Sequence, residues 1–114
     1  MLRVGSVVWL EVEGRGRHPG ILLELAAGVA QVAHVAVGTG HGTLPDGTPR
    51  DRPCVVVDPE VRPALARALR FTKATWFYAD RIAAVRTSAL VEAGALAPSA
   101  LVLELTRLWR GPGA

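Results

Sequence analysis

The sequence predicts a mainly-β domain, a small antiparallel barrel closed by a C-terminal helix. Three observations carry that prediction. Short runs rich in β-branched residues recur along the chain, separated by Gly- and Pro-rich breaks. Near the C-terminus, Leu101, Leu105, Leu108 and Trp109 recur at helical spacing. The 114 residues match one ordinary domain, and no internal repeat or linker divides them.

The elements follow in order. Val4 to Val12 reads as a strand, with Val7, Val8, Trp9, Leu10 and Val12 as β-formers. Gly14, Arg15, Gly16, Arg17, His18, Pro19 and Gly20 read as a loop. Ile21 to Leu25 is too short for a helix and reads as a second strand, with a turn at Ala26, Ala27 and Gly28. Val29 to Val37 is apolar on both alternating faces, as a central strand is. Gly38 to Pro53 is the longest loop, and a loop of that length in so small a domain is usually functional or mobile.

Cys54 to Val57 reads as a fourth strand, with Cys54 as a buried, inert thiol. Asp58 and Pro59 precede a short helix over Val61 to Leu69. Lys73 to Tyr78 and Ile82 to Val85 form either one bent strand or two short ones. Thr87 or Ser88 caps a helix of one or two turns ending at Gly94. Pro98 and Ser99 open the last helix, and Gly111, Pro112 and Gly113 stop it.

Composition narrows the function classes. A single cysteine excludes an intrachain disulfide and is compatible with a reducing cytoplasm. The N-terminus lacks the pattern of a signal peptide, and no apolar run approaches the roughly 20 residues of a membrane helix. The expected location is therefore the cytoplasm, with no membrane partner. Basic residues exceed acidic ones by 13 to 10. No acid lies between Glu60 and Asp80, where Arg62, Arg67, Arg70 and Lys73 fall, Arg81 and Arg86 follow shortly after, and Arg15, Arg17 and His18 form a second basic cluster. Such segments suit a polyanion and equally suit a solvated surface.

Metal and cofactor chemistry find no ligands. His18, His34 and His41 lack a short-spaced His or Cys partner, and His34, in mid-strand, reads as a satisfied structural histidine. Gly38 to Thr43 is Gly-rich but lacks the lysine and following helix of a phosphate-binding loop. Ser6, Ser88 and Ser99 are not in a nucleophile elbow. The expectation is no metal and no cofactor.

Two places remain: Arg17-His18-Pro19, directly before the second strand, and Thr39 after the third, with His41 close behind. If strands two and three form a hairpin, His18 and Thr39 meet at one rim of the sheet. Arginine, histidine and a hydroxyl there can bind a phosphodiester, polarise it and move a proton. A solvated Arg17 and an ordinary turn threonine are the alternative.

The stretches Val4-Gly5-Ser6-Val7-Val8-Trp9-Leu10, His18-Pro19-Gly20-Ile21-Leu22-Leu23 and Val35-Ala36-Val37-Gly38-Thr39 resemble the PemK/MazF family of toxin endoribonucleases. Asp80 to Arg86, Leu90 to Gly94, Leu96 and the last helix resemble that family's closing segments, so the likeness spans most of residues 4–109. It implies an SH3-like barrel, a homodimer, and metal-independent cleavage of single-stranded RNA by a toxin that a partner antitoxin protein neutralises. Three tryptophans in so short a chain also fit a dimer interface.

The resemblance implies that Thr39 orients the scissile phosphate and that the family's Arg-Pro motif falls on His18-Pro19, with histidine for arginine. The family's Gly-Ser-Glu-Gln-like stretch before it reads Glu13-Gly14-Arg15-Gly16 here. On this reading His18 is the acid/base, Arg17 or Arg15 neutralises charge, and Arg15, His41, Arg70, Lys73 and Thr75 contact RNA. Trp76 reads as core or dimer interface. The alternative is a catalytically silent SH3-like module that binds nucleic acid or a protein.

Overall fold

The structure, a computed structural model, describes residues 1–26, 31–44 and 46–113. Its chain order is β1 (Ser6–Val12), β2 (Gly16–Ala26), β3 (Val32–Thr39), β4 (Cys54–Val57), α1 (Pro63–Leu69), β5 (Thr75–Arg86), a single 3-10 turn (Thr87–Ala89), β6 (Val91–Leu96) and α2 (Ser99–Arg110). The fold is mainly β, as the sequence predicts. The six strands form one antiparallel sheet in the order β4-β5-β3-β2-β1-β6. β4 and β6 are its edges, and no ladder among the described residues joins them. The expected turn at Ala27 and Gly28, and the Val29 and Ala30 start of the third strand, lie outside the described residues.

Period-two alternation sorts the apolar side chains into two clusters. Val7, Ile21, Leu23, Ala36 and Phe77 point to one face, where Ala66 and Leu69 of α1 and Leu101 and Leu105 of α2 cover them. Val8, Leu10, Leu22, Ala33, Val35 and Val37 point to the other. β3, apolar on both faces as expected, lies between β2 and β5. The Leu101–Trp109 stripe holds as well: Leu101 and Leu105 are buried, and Leu108 and Trp109 pack at the cluster's margin. Glu24 accepts a 2.6 Å hydrogen bond from Arg110, and the His34 ring lies 5.1 Å from that of Trp109. These contacts dock the end of α2 on β2 and β3.

Several expectations need correction. The segment Arg17-His18-Pro19 is not a loop before the second strand but part of β2, because Val12 pairs with Gly16 and the hairpin closes tightly. Leu90 to Gly94 is not the end of a helix. Only Thr87–Ala89 makes a turn, and β6 then completes the ladder of β1. Gly94, with φ +77, lies inside β6 rather than at the end of a helix. The α1 helix starts at Pro63 rather than Val61. Cys54 is exposed, not buried: on the edge strand β4, Val55 and Val57 take the covered side and alternation leaves Cys54 outside. His34 has a packing role, but its buried Nδ1 has no hydrogen-bond partner.

Thr75–Arg86 forms one long strand with a bend, the first of the two forms expected, beginning two residues after Lys73. Its register with β3 shifts between the pairs Ala36↔Ile82 and Gly38↔Phe77. The shift is an odd number of residues, so the facing of β5 inverts across it, and Tyr78 and Arg81 come to the same side of the sheet.

Candidate functional site

Strand alternation decides which candidate residues meet. The β2–β3 register places Gly20 opposite Val37, and continuing it by two residues sets His18 beside Thr39. Both residues lie at one rim of the sheet, where the His18 ring reaches the carbonyl of Gly38, the neighbour of Thr39. His18 is partly buried, and both its ring nitrogens face backbone oxygens. Nδ1 is 3.0 Å from the Gly38 carbonyl oxygen and Nε2 is 3.2 Å from that of Arg15. A carbonyl only accepts, and a neutral imidazole has one N–H. Either neutral tautomer therefore donates to one of the two carbonyls. The ring thereby ties the tip of the β1–β2 hairpin to the end of β3.

Thr39 is only 2 % exposed, and its Oγ1 accepts a 3.3 Å hydrogen bond from the His41 amide. The His41 carbonyl in turn accepts from the Tyr78 hydroxyl at 3.2 Å. Gly42 lies flat against the Trp76 indole, where a Cβ would come within 2.5 Å of the ring. Glycine is the residue that permits that approach. The segment after Thr39 is fastened to β5 in this way rather than hanging free.

Arg17 points to the opposite side from His18, with its guanidinium 5.1 Å from the centre of the Trp9 ring. Arg70, Lys73 and Thr75 are on that side too, lining a cleft of about 270 Å³ with Trp9, Pro19 and Gly40. Thr75 is buried and donates its hydroxyl to the Lys73 carbonyl at 3.2 Å. Of the residues singled out from sequence, the fold thus brings His18, Thr39, His41 and Arg15 together. It sets Arg17, Arg70, Lys73 and Thr75 apart from them across the sheet.

Four arginines converge beside His18, two of which, Arg50 and Arg52, sequence reasoning passed over. Arg15, Arg50, Arg52 and Arg81 line a cavity of about 350 Å³ with Val12 and Asp80. Arg15 comes from the β1–β2 hairpin and Arg81 from the bend of β5. Arg50 and Arg52 come from the long loop, which is ordered by a Thr43↔Pro49 bridge and by the Arg50 amide donating to the Gly42 carbonyl at 3.1 Å. Their guanidiniums lie 5.8 and 4.6 Å from the centre of the Tyr78 ring. Asp80, the one carboxylate there, is already paired with Arg52. Burial holds the Arg81 guanidinium below its ordinary value, and the charges of Arg15, Arg50 and Arg52 depress it further, with Asp80 opposing. In sequence, Arg50-Asp51-Arg52 alternates in sign and nets a single positive charge, and Arg81 follows Asp80. Only the breadth of the loop pointed here.

Among the described residues, no three His, Cys, Asp or Glu side chains gather where they could hold a metal ion. No described helix is long and apolar enough to cross a membrane. Comparison with protein-family models gives no match for this chain, and comparison with curated proteins gives none either.

Proposed function

We propose that this chain binds single-stranded RNA along the rim formed by His18 and the arginine pocket, and cleaves it without a metal ion. In this reading it is a PemK/MazF-like toxin endoribonuclease of the cytoplasm, acting as a homodimer and neutralised by an antitoxin protein. One observation carries the reading: the His18 ring and the four-arginine cavity are joined through Arg15, which lines the cavity and whose carbonyl meets Nε2. A proton donor and a concentration of positive charge thus share one rim, as phosphodiester cleavage requires.

The chemistry needs little else. The RNA 2′-hydroxyl attacks the adjacent phosphorus, the bond to the 5′-oxygen breaks, and a 2′,3′-cyclic phosphate remains. The imidazolium of His18 gives its Nε2 proton, from the longer and more exposed of its two contacts, to the leaving oxygen. Water takes the 2′-hydroxyl proton. The arginines stabilise the charged phosphorane. Thr39 acts by holding the segment that follows β3, its Oγ1 accepting from the His41 amide.

A second reading, a silent module that binds RNA without cutting it, is favoured by the same two contacts. A ring with both nitrogens on carbonyls, beside a buried threonine, is also a structural clamp. Incubating the purified chain with labelled single-stranded RNA in EDTA separates the two. Cleavage that disappears in His18→Ala establishes the enzyme. Tight binding with intact RNA establishes the module, and the absence of both cleavage and binding overturns the RNA reading. Sedimentation at micromolar concentration tests the dimer, whose mass is twice the 12.1 kDa of the chain.

A further inference from the structure

We propose that the cavity between Arg15, Arg50, Arg52 and Arg81 is a dedicated oxyanion site that seats one phosphate group, with Arg81 as its anchor. The source of the phosphate, an RNA backbone or the free ion, rests on the RNA reading above; the site itself does not.

Four guanidiniums confront one carboxylate in this cavity, and that carboxylate is bound to Arg52. Crowding like charges costs free energy in the unoccupied protein. Arg81 feels that cost most directly, being partly buried and surrounded by the other three. The arrangement is nevertheless built rather than accidental. Arg50 is hydrogen-bonded from Nε to the Thr43 carbonyl at 3.3 Å. Both it and Arg52 stack on Tyr78, a buried ring fixed by its own hydroxyl to the His41 carbonyl. Stacking on an aromatic face holds a guanidinium while leaving its edge N–H groups free to donate. The bend in β5 brings Arg81 to the same side.

A tetrahedral oxyanion, with two non-bridging oxygens in a backbone diester and four in the free ion, matches such convergent forks, and arginine pairs with phosphate through two parallel hydrogen bonds. The cavity is far too small for a folded partner, and its floor is charged rather than apolar. An acidic peptide would bring flat carboxylates, which engage one fork at a time. The crowding favours free phosphate, which carries more than one charge; a backbone diester carries one, and its tetrahedral oxygens rather than its charge distinguish it from a carboxylate.

The test titrates the intact chain, by calorimetry, with inorganic phosphate, with a 2′-O-methyl RNA octamer that cannot be cleaved, and with hexaglutamate. Wild type binds phosphate and the octamer. Arg81→Gln weakens both at least tenfold and flattens the salt dependence of octamer binding by about 0.7, the loss of one phosphate contact. Arg81→Lys, which keeps charge but loses the fork, falls between. Arg107→Gln removes an equal charge from α2 and changes nothing. If Arg81→Gln does not fold, Arg52→Gln replaces it with the same expectation. Phosphate bound without the octamer upholds the site and removes the RNA reading. An octamer bound equally by wild type and Arg81→Gln overturns the site and leaves the RNA reading intact. Hexaglutamate bound in preference to phosphate overturns it in favour of a carboxylate ligand.

Discussion

The α2-covered face of the sheet and the arginine rim lie on one small domain but obey opposite physics. Under α2, Leu101 and Leu105 fill a layer with Val7, Ile21 and Phe77, and burial there removes apolar surface from water. At the rim, four guanidiniums share a cavity with one carboxylate, a placement that opposes folding. The covered face supplies the stability that lets the rim keep its unfavourable charges. Strain of this kind is expected where a surface is arranged for a ligand rather than for itself.

Breaking the covered face has the largest expected effect. Leu105→Asp puts a carboxylate where the side chain is 1 % exposed, and it should cost about 3–5 kcal/mol in denaturant unfolding. A variant as stable as wild type would show that α2 does not close the core. Next comes the turn that presents the rim. Gly42→Ala pushes a methyl group into the Trp76 indole and should cost about 1–3 kcal/mol. Gly40→Ala, two residues earlier, meets nothing within 4 Å and should be far milder. Equal losses in the two melts would mean the loop is not seated on Trp76.

His18→Ala sharpens the comparison, because stability and activity should separate. Loss of the two ring contacts should cost roughly 1 kcal/mol. Loss of the proton donor should slow RNA cleavage about 10²–10⁴-fold. A variant that is strongly destabilised but still cuts assigns the ring to structure alone. Arg81→Gln should act in the opposite sense to every change above. A base held below its ordinary value binds its proton less well in the folded than in the unfolded chain. Its charge therefore opposes folding at every pH where it is protonated, which includes neutrality. The variant should melt slightly higher than wild type in phosphate-free buffer, and a lower melting temperature would contradict the crowding.

The smallest effect belongs to Asp46, an exposed loop residue. Its carboxylate accepts from the Thr48 hydroxyl at 2.6 Å and from the Thr48 amide at 3.0 Å. These bonds, the hydroxyl first, hold it below its usual 3.8. The stabilisation is present above 3.8 and is lost as pH falls through the lower folded value. An NMR titration of the Thr48 amide should show a midpoint below 3.8; a midpoint at or above it would mean the turn does not form.

Much of the fold was legible because it is local. The alternation of Val32 to Val37 marked a central strand, Cys54–Val57 was found to the residue, and the Leu101–Trp109 stripe marked α2. Breakers misled where tertiary pairing overrode them. Glycines and Pro19 argued for a loop across Gly14 to Gly20, yet β1 offered a ladder that carried Gly16–Ala26 into one strand. Leu90 to Gly94 carried too little pattern to show that β1 required an edge partner.

The sequence by itself determined the class of the domain, its closing helix and the placement of His18 beside Thr39, because these follow from two- and 3.6-residue periods and from one hairpin. Only the tertiary structure decided that Arg17 and His18 lie in a strand, where alternation sends them to opposite sides of the sheet, and that Arg15, Arg50, Arg52 and Arg81 share a cavity. Those four positions span 67 sequence positions from first to last. Their meeting depends on an odd register shift in β5 and on a loop seated against Trp76 and Tyr78. Both are set by long-range pairing, which leaves no mark in the local spacing of residues.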